Sequence, residues 1–130
     1  MLLTFAPKLF NDQDGVLPVS LETQVQSIDF YVTHDGGQTW QSTAVVQSQD
    51  AYDIASMQDI WVWSGEKLDV SHNSAQSWTS ITPEISLQGK IQQLDFINQK
   101  TCWAISMDAQ ENMYLYQTQD SGNTWDQLSK

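Results

Sequence analysis

The side chains that could do chemistry recur in one phrase. "THDGGQTW" runs from Thr33 to Trp40, "SHNSAQSW" from Ser71 to Trp78 and "TQDSGNTW" from Thr118 to Trp125. Aligned without gaps they read Thr33, Asp35, Gly37, Thr39, Trp40, then Ser71, Asn73, Ala75, Ser77, Trp78, then Thr118, Asp120, Gly122, Thr124, Trp125. A carboxylate beside a glycine suits a tight reversal, because the acid accepts backbone N–H groups as in an Asx-turn and glycine takes the positive φ that a Cβ resists. The charged acceptor is worth ~1–2 kcal/mol, and the indole, if fully buried, up to ~4–6 kcal/mol. The phrase therefore reads as a hairpin latch rather than as an acid poised for catalysis. The second copy, with Asn73 and Ala75 in place of the acid and the glycine, is expected to make the loosest turn.

Other reactive side chains are scattered. Glycoside hydrolysis needs two carboxylates at about 5–10 Å, and the chain has 16 acids, but most fall in turn sequences. Trp61 and Trp63 lie on one face of a strand and could stack on a sugar ring; the apolar residues aligned with them, Leu17, Val19, Trp103 and Ile105, favour core between repeats instead. His34 and His72 hold the same variable place in two copies, so each belongs to its own hairpin tip. "NDQDGVL" from Asn11 has Asp12, Asp14 and Gly15 in step with a calcium loop, yet Phe10 stands where the first ligand belongs, which makes it a plain turn. Cys102 is the single cysteine, so neither an intrachain disulfide nor a cysteine-built zinc site can form, and a buried packing role is expected. Phosphate loops, HExxH and nucleophile elbows are absent from the sequence. The expectation is a non-catalytic chain with no metal and no cofactor.

Composition narrows the partners. The formal charge is −11, from 16 acids against 5 bases. Every base is lysine. A field of that sign repels phosphate backbones, and without arginine no bidentate contact to bases or phosphates can be made, which excludes nucleic acid. The longest apolar stretch, Ile60 to Trp63, is far short of the roughly 20 residues a membrane span needs, and the first residues lack a signal-peptide pattern.

These residues must be positioned by sheets. From Trp40 to Trp78 and from Trp78 to Trp125 the steps are 38 and 47 residues, a period that marks a supersecondary unit stacked on copies of itself. Upstream of each phrase, seven residues separate Phe10 from Leu17, Ile54 from Trp61 and Phe96 from Trp103. Apolar alternation at period two follows each second anchor and returns as Ile28, Phe30 and Val32, as Leu68 and Val70, and as Met113 and Leu115. After each Trp a short β-branched or apolar segment carries Thr43, Ile81 or Leu128. Four strands per unit, with no window that sustains helical spacing, predict an all-β chain: one domain of three four-stranded antiparallel blades at 1–48, 49–85 and 86–130.

The repeated phrase resembles the Asp-box, or bacterial neuraminidase repeat, and copies one and three match it at every defined position. The wider repeat, "IQQLDFINQKTCWAI" followed by "MYLYQTQDSGNTW", is similar to the blades of proteins related to the photosystem II stability and assembly factor. The resemblance implies a β-propeller with the box at the blade's outer rim, and it implies an extracellular or cell-surface setting. It does not bring a reaction. Sialidases of this type hold a substrate carboxylate with three arginines and the assembly factors use an arginine-rich patch, whereas this chain has no arginine. The implied function is an interaction module binding a protein or a glycan; the alternatives are a carbohydrate-active role and a purely structural part of a larger assembly. Three blades cannot close a ring, since propellers typically need four to eight. Either the chain is part of a longer propeller, or two copies form a six-bladed ring.

Overall fold

In a computed structural model the described residues are 2–22, 26–48, 51–84, 87 and 89–129. They contain no helix and form three antiparallel sheets in chain order. The first is built from β1 (Leu2–Thr4), β2 (Lys8–Leu9), β3 (Gly15–Glu22), β4 (Gln26–Thr33) and β5 (Val46–Gln47). The second runs β6 (Ala51–Ile54), β7 (Ile60–Trp63), β8 (Leu68–Ser71), β9 (Thr79–Ile81), and the third β10 (Lys90–Phe96), β11 (Cys102–Met107), β12 (Met113–Thr118), β13 (Asp126–Ser129). The second and third are meanders in which consecutive strands pair, and in the first β3, β4 and β5 pair in turn.

The first sheet fills its innermost place with two segments. Both β1 and β2 pair with β3, and the chain between them, Phe5 to Pro7, leaves the ladder opposite Leu17 and Pro18. Pro18 has no N–H to give a neighbour, so a gap in the adjoining strand costs nothing there; its carbonyl still accepts Phe5 N–H at 3.0 Å. The outermost strand is interrupted too. Asp29, buried on β4, accepts Ser42 Oγ at 2.6 Å and Thr43 N–H at 3.2 Å, which draws the chain off the ladder until β5. Thr43 thus lies between a lone bridge at Gln41 and β5 instead of within a fourth strand.

Pairing fixes the register. The residue that opens each phrase pairs across its hairpin with Gly15, Ile60 or Cys102: Gly15↔Thr33, Ile60↔Ser71, Cys102↔Thr118. Val16, Trp61 and Trp103 are therefore equivalent, and so are Leu9, Ile54 and Phe96. This corrects the spacing read from sequence by one residue in the first sheet, where Phe10 and Leu17 had been aligned. A slip of one flips a side chain to the other face; Val16 points into the stack and Leu17 away from it.

Two cores hold the stack. One joins Val16, Ile28, Phe30 and Val32 of the first sheet to Ile54, Ile60, Val62 and Ala75 of the second. The other joins Trp61, Trp63, Leu68 and Val70 of the second to Phe96, Cys102, Ala104, Tyr116 and Trp125 of the third. The middle sheet is consequently covered on both faces, with every residue of β7 and β8 buried. In the third sheet β11 alternates buried and half-buried residues, so one of its faces is open.

Candidate functional site

Two features could carry function: the hairpin end, where all three phrases lie, and the uncovered faces of the end sheets. At the hairpin end each phrase closes through the same bonds. Thr33 Oγ1 donates to Asp35 Oδ1 at 2.8 Å and accepts Gly37 N–H at 2.9 Å, while Asp35 accepts Thr39 N–H at 2.9 Å and Thr39 Oγ1 at 2.5 Å. Thr118, Asp120, Gly122 and Thr124 repeat the set with distances of 2.6 to 2.9 Å. In copy two Ser71 Oγ donates to Asn73 Oδ1 at 2.9 Å, Ala75 N–H reaches Ser71 Oγ at 2.9 Å, and Asn73 Nδ2 donates to Ser77 Oγ at 2.8 Å. The amide replaces the carboxylate by reversing one donor, so copy two keeps the whole latch and is not loosened.

The reversal itself needs two consecutive left-handed residues, as in a type I′ hairpin. These are Gly36 and Gly37, Ser74 and Ala75, and Ser121 and Gly122, all with φ between 60° and 94°. A side chain there costs ~1–2 kcal/mol. Ser74 and Ser121 offset it by donating to the Met57 and Gln99 carbonyls, each at 2.7 Å. Those carbonyls belong to a second repeated hairpin, between the first and second strand of each sheet. Asn11, Ser56 and Asn98 each accept the N–H groups two and three residues on, at 2.8 to 3.3 Å. Backbone bonds then tie the two hairpins together: Gly36 to Gln13, Ser74 to Gln58 and Ser121 to Lys100. Sequence reading took "NDQDGVL" as a plain turn; the signal it missed is a five-residue loop of constant length with Asn or Ser at its second place.

Charge at this end is already committed. Asp35 is held down at about 2 by Thr39 and Thr33, and Asp120 is lowered likewise by Thr124 and Thr118. Asp14 is lowered by Asn11 and by His34, whose Nδ1 lies 2.9 Å away. Burial pulls Asp59 upward, but His72 at 2.6 Å, Gln99 and Ser56 hold it below the usual range. Each histidine thus serves its own hairpin, about one blade apart, and they do not converge. Among the described residues no three His, Cys, Asp or Glu side chains are grouped to hold a metal ion.

The indoles do not behave alike. Trp40 Nε1 and Trp125 Nε1 fold back onto the Gly37 and Gly122 carbonyls at 3.1 and 2.9 Å. Trp78 Nε1 instead reaches Ala44 O of the first sheet at 2.9 Å, and Ala44 N–H returns to Ala75 O at 3.1 Å. Trp61 and Trp63 are 0% and 5% exposed, and Trp61 stacks on Phe96 with ring centroids 3.9 Å apart. Neither ring has a face open to a sugar, and both lie in the core between sheets that the aligned apolar residues favoured in the sequence. Cys102 is buried with its thiol pushed up to about 12 by burial, so it is no nucleophile.

The geometry can be set beside solved structures. One, described as YCF48 bound to D1 peptide, superposes with a TM-score of 0.68 at 17% identity over 100% of this chain and 43% of that one. A second, YCF48 from Cyanidioschyzon merolae, gives a TM-score of 0.64 at 17% identity over 98% of this chain and 37% of that one. The fold is that of a partial β-propeller. Its three sheets are three consecutive blades, and the chain spans less than half the length of the propellers it matches. No model of a protein family and no curated protein matches the sequence. No helix among the described residues is long and apolar enough to cross a membrane.

Proposed function

We propose that the chain is a non-catalytic interaction module of the Asp-box propeller type that holds a protein segment. The observation that carries this reading is the likeness along the whole chain to YCF48, a propeller solved with a peptide bound. The Asp-box assignment is supported by the threefold repetition of one hydrogen-bond set around Asp35, Asn73 and Asp120.

The partner differs in charge from one met by an arginine-rich patch. A chain of net charge −11 with lysine as its only strong base attracts cationic segments and repels anionic ones. A protein partner is favoured over a glycan because Trp61 and Trp63 are spent on the core. Exposure at the cell surface belongs to the proposal on the strength of the family resemblance, and labelling of intact cells with a membrane-impermeant reagent reads it out.

Fluorescence anisotropy with labelled lysine-rich, neutral and acidic peptides of equal length tests the main claim, beside a glycan array. The expected result is saturable binding of the lysine-rich peptide that weakens as salt rises, with a silent array. Glycan binding without peptide binding, or turnover of a glycan, would overturn it. The open faces of the end sheets favour a second reading, a structural part of a larger assembly.

A further inference from the structure

We propose that the hairpin end of the third sheet is a carboxylate-binding site, where Asn98, Lys100 and Gln119 take from a protein segment the carboxylate that the first two sheets supply themselves. The loops between first and second strands have five residues in every sheet and correspond place by place. Their last place holds Asp14, Asp59 and Thr101, so the third sheet alone lacks an acid there. The second place of the facing box phrase holds His34, His72 and Gln119.

In the first two sheets these groups form closed sets. Asp14 accepts Asn11 Nδ2 at 2.9 Å and lies 2.9 Å from His34 Nδ1. Asn11, and after it His34, hold the Asp14 carboxyl below its usual range, so this donor set favours an ionised acid. Asp59 meets Ser56 Oγ at 3.2 Å, His72 Nδ1 at 2.6 Å and Gln99 Nε2 at 3.3 Å. Each acid plugs the gap between its two hairpins.

The third sheet keeps the donors and drops the acid. Asn98 stands where Asn11 stands, and its Oδ1 accepts the N–H groups of Lys100 and Thr101 at 2.8 Å, as Asn11 Oδ1 accepts those of Gln13 and Asp14 at 2.8 Å. The same two bonds fix both amides, so Asn98 Nδ2 is presented to the last place of its loop as Asn11 Nδ2 is to Asp14. Asn98 Nδ2, Lys100 Nζ, Thr101 Oγ1 and the Gln119 amide have no hydrogen-bond partner among the described residues. Where the plug is missing, the surface opens into a shallow cleft of about 470 Å³ lined by Asn98, Gln99, Lys100, Thr101 and Gln119.

The charge at this place is also reversed. Lys100 replaces Gln13 and Gln58 and is the only lysine in these hairpins. A carboxylate arriving from outside therefore gains a charge-assisted hydrogen bond from Lys100, together with amide donors from Asn98 and Gln119. An ammonium group would meet Lys100 as a like charge, and a neutral carbonyl would gain no charge assistance. The neighbouring acids do not compete for the donors, because Asp120 is occupied by Thr118 and Thr124 and Asp59 by His72 and Gln99. The counterpart inside the chain is a carboxylate in both other sheets, which selects that group over a larger oxyanion.

Only the carrier of the carboxylate rests on the proposed peptide-holding role; the site itself is read with sodium acetate. Backbone and side-chain amide resonances of the whole chain are followed by NMR at neutral pH and constant ionic strength, with acetamide and inorganic phosphate as controls. The expected result is a saturable acetate shift of the Asn98 and Gln119 side-chain amides, absent with acetamide and absent at Asn11, whose amide already holds Asp14. Thr101→Asp returns the acid to the chain and is expected to move the Asn98 amide by itself and to abolish the acetate response. Lys100→Gln, on the pattern of Gln13 and Gln58, is expected to weaken that response severalfold, and the backbone spectrum confirms that each variant is folded. Two otherwise neutral peptides separate the sources, one with a single glutamate and an amidated end, the other without acids and with a free C terminus; at least one is expected to shift the same amides. No acetate shift at Asn98 and Gln119, a larger shift with phosphate, an undiminished response in either folded variant, or silence from both peptides would each overturn the site. Each of these results leaves the binding of a lysine-rich peptide to stand or fall by its own titration.

Discussion

Trp61 and Trp125 face each other's sheets across one core, and they differ in a way that decides what loss of the indole N–H should do. Trp125 Nε1 donates to Gly122 O at 2.9 Å in a buried setting. Replacing Trp125 with Phe removes ring volume, worth ~1–2 kcal/mol including the cavity, and strands a buried carbonyl, worth ~1–3 kcal/mol. The sum is about 2–5 kcal/mol of destabilisation. Trp61 Nε1 is buried without a hydrogen-bond partner. Trp61→Phe loses similar volume, but it also removes a donor whose desolvation the fold already bears, ~1–3 kcal/mol in the opposite direction. The two effects nearly cancel, while the stack on Phe96 survives because phenyl also stacks. Urea unfolding of both variants and the parent, at one protein concentration, reads the difference. With a central slope of about 2 kcal/mol per molar, Trp125→Phe lowers the midpoint by about 1–2.5 M and Trp61→Phe leaves it nearly in place. Equal losses for the two variants would refute the reasoning, since they would mean that the Trp61 N–H does have a partner worth keeping.

Three further outcomes follow from single groups. Asp35 has a folded pKa of about 2 against an ordinary 3.8, so its contribution to stability is full above the ordinary value and is lost as pH falls through 4 toward 2. Replacing it with Asn should flatten the acid limb of a pH–stability curve in that window and leave the neutral limb parallel to the parent's; an unchanged acid limb would refute the assignment. Cys102, buried and pushed up to about 12, should resist a thiol reagent at pH 8 in the native protein and react fully in urea, and rapid native labelling would contradict its place in the core. Gly122→Ala should destabilise the fold more than Gly37→Ala under conditions where the chain is monomeric, because both pay for a positive φ but only the first forces a Cβ onto Leu68; thermal melts of the pair give the order directly.

The sheets were legible in the sequence because apolar alternation and a repeated turn phrase point to the same answer. Ile28, Phe30 and Val32 share a face as their spacing says, and Thr33, Ser71 and Thr118 open equivalent turns. The register of the first sheet was not legible. Phe10 is a larger apolar residue than its neighbours and draws the eye to itself, yet the five-residue loop that it begins is matched by Ala55 and Ile97, and all three donate N–H to the residue four on. Only the hydrogen bonds show that Leu9 is the last ladder residue. The interrupted outer strand was equally hidden, since it depends on Asp29 reaching Ser42 and Thr43 across space.

The second latch shows why a repeat can be half read. The box phrase announces itself because Trp and Gly are rare and unmistakable, whereas Asn11, Ser56 and Asn98 share only a short polar acceptor and hide in ordinary turn composition. Structurally the two are one unit: each box backbone is bonded to the neighbouring hairpin, and in copies two and three a serine hydroxyl adds a further bond. A double-stitched end of this kind leaves few polar groups free to engage a ligand, since its carboxylates are occupied by Thr39, Thr124, His34 and His72. What the fold leaves uncovered among the described residues lies elsewhere, on the outer face of the third sheet around Trp103 and Leu115 and on the outer face of the first around Leu9 and Tyr31. Binding that persists when the box carboxylates are replaced, in variants that still fold, would be the natural consequence of that division between a rim that holds the blades and faces that hold a partner.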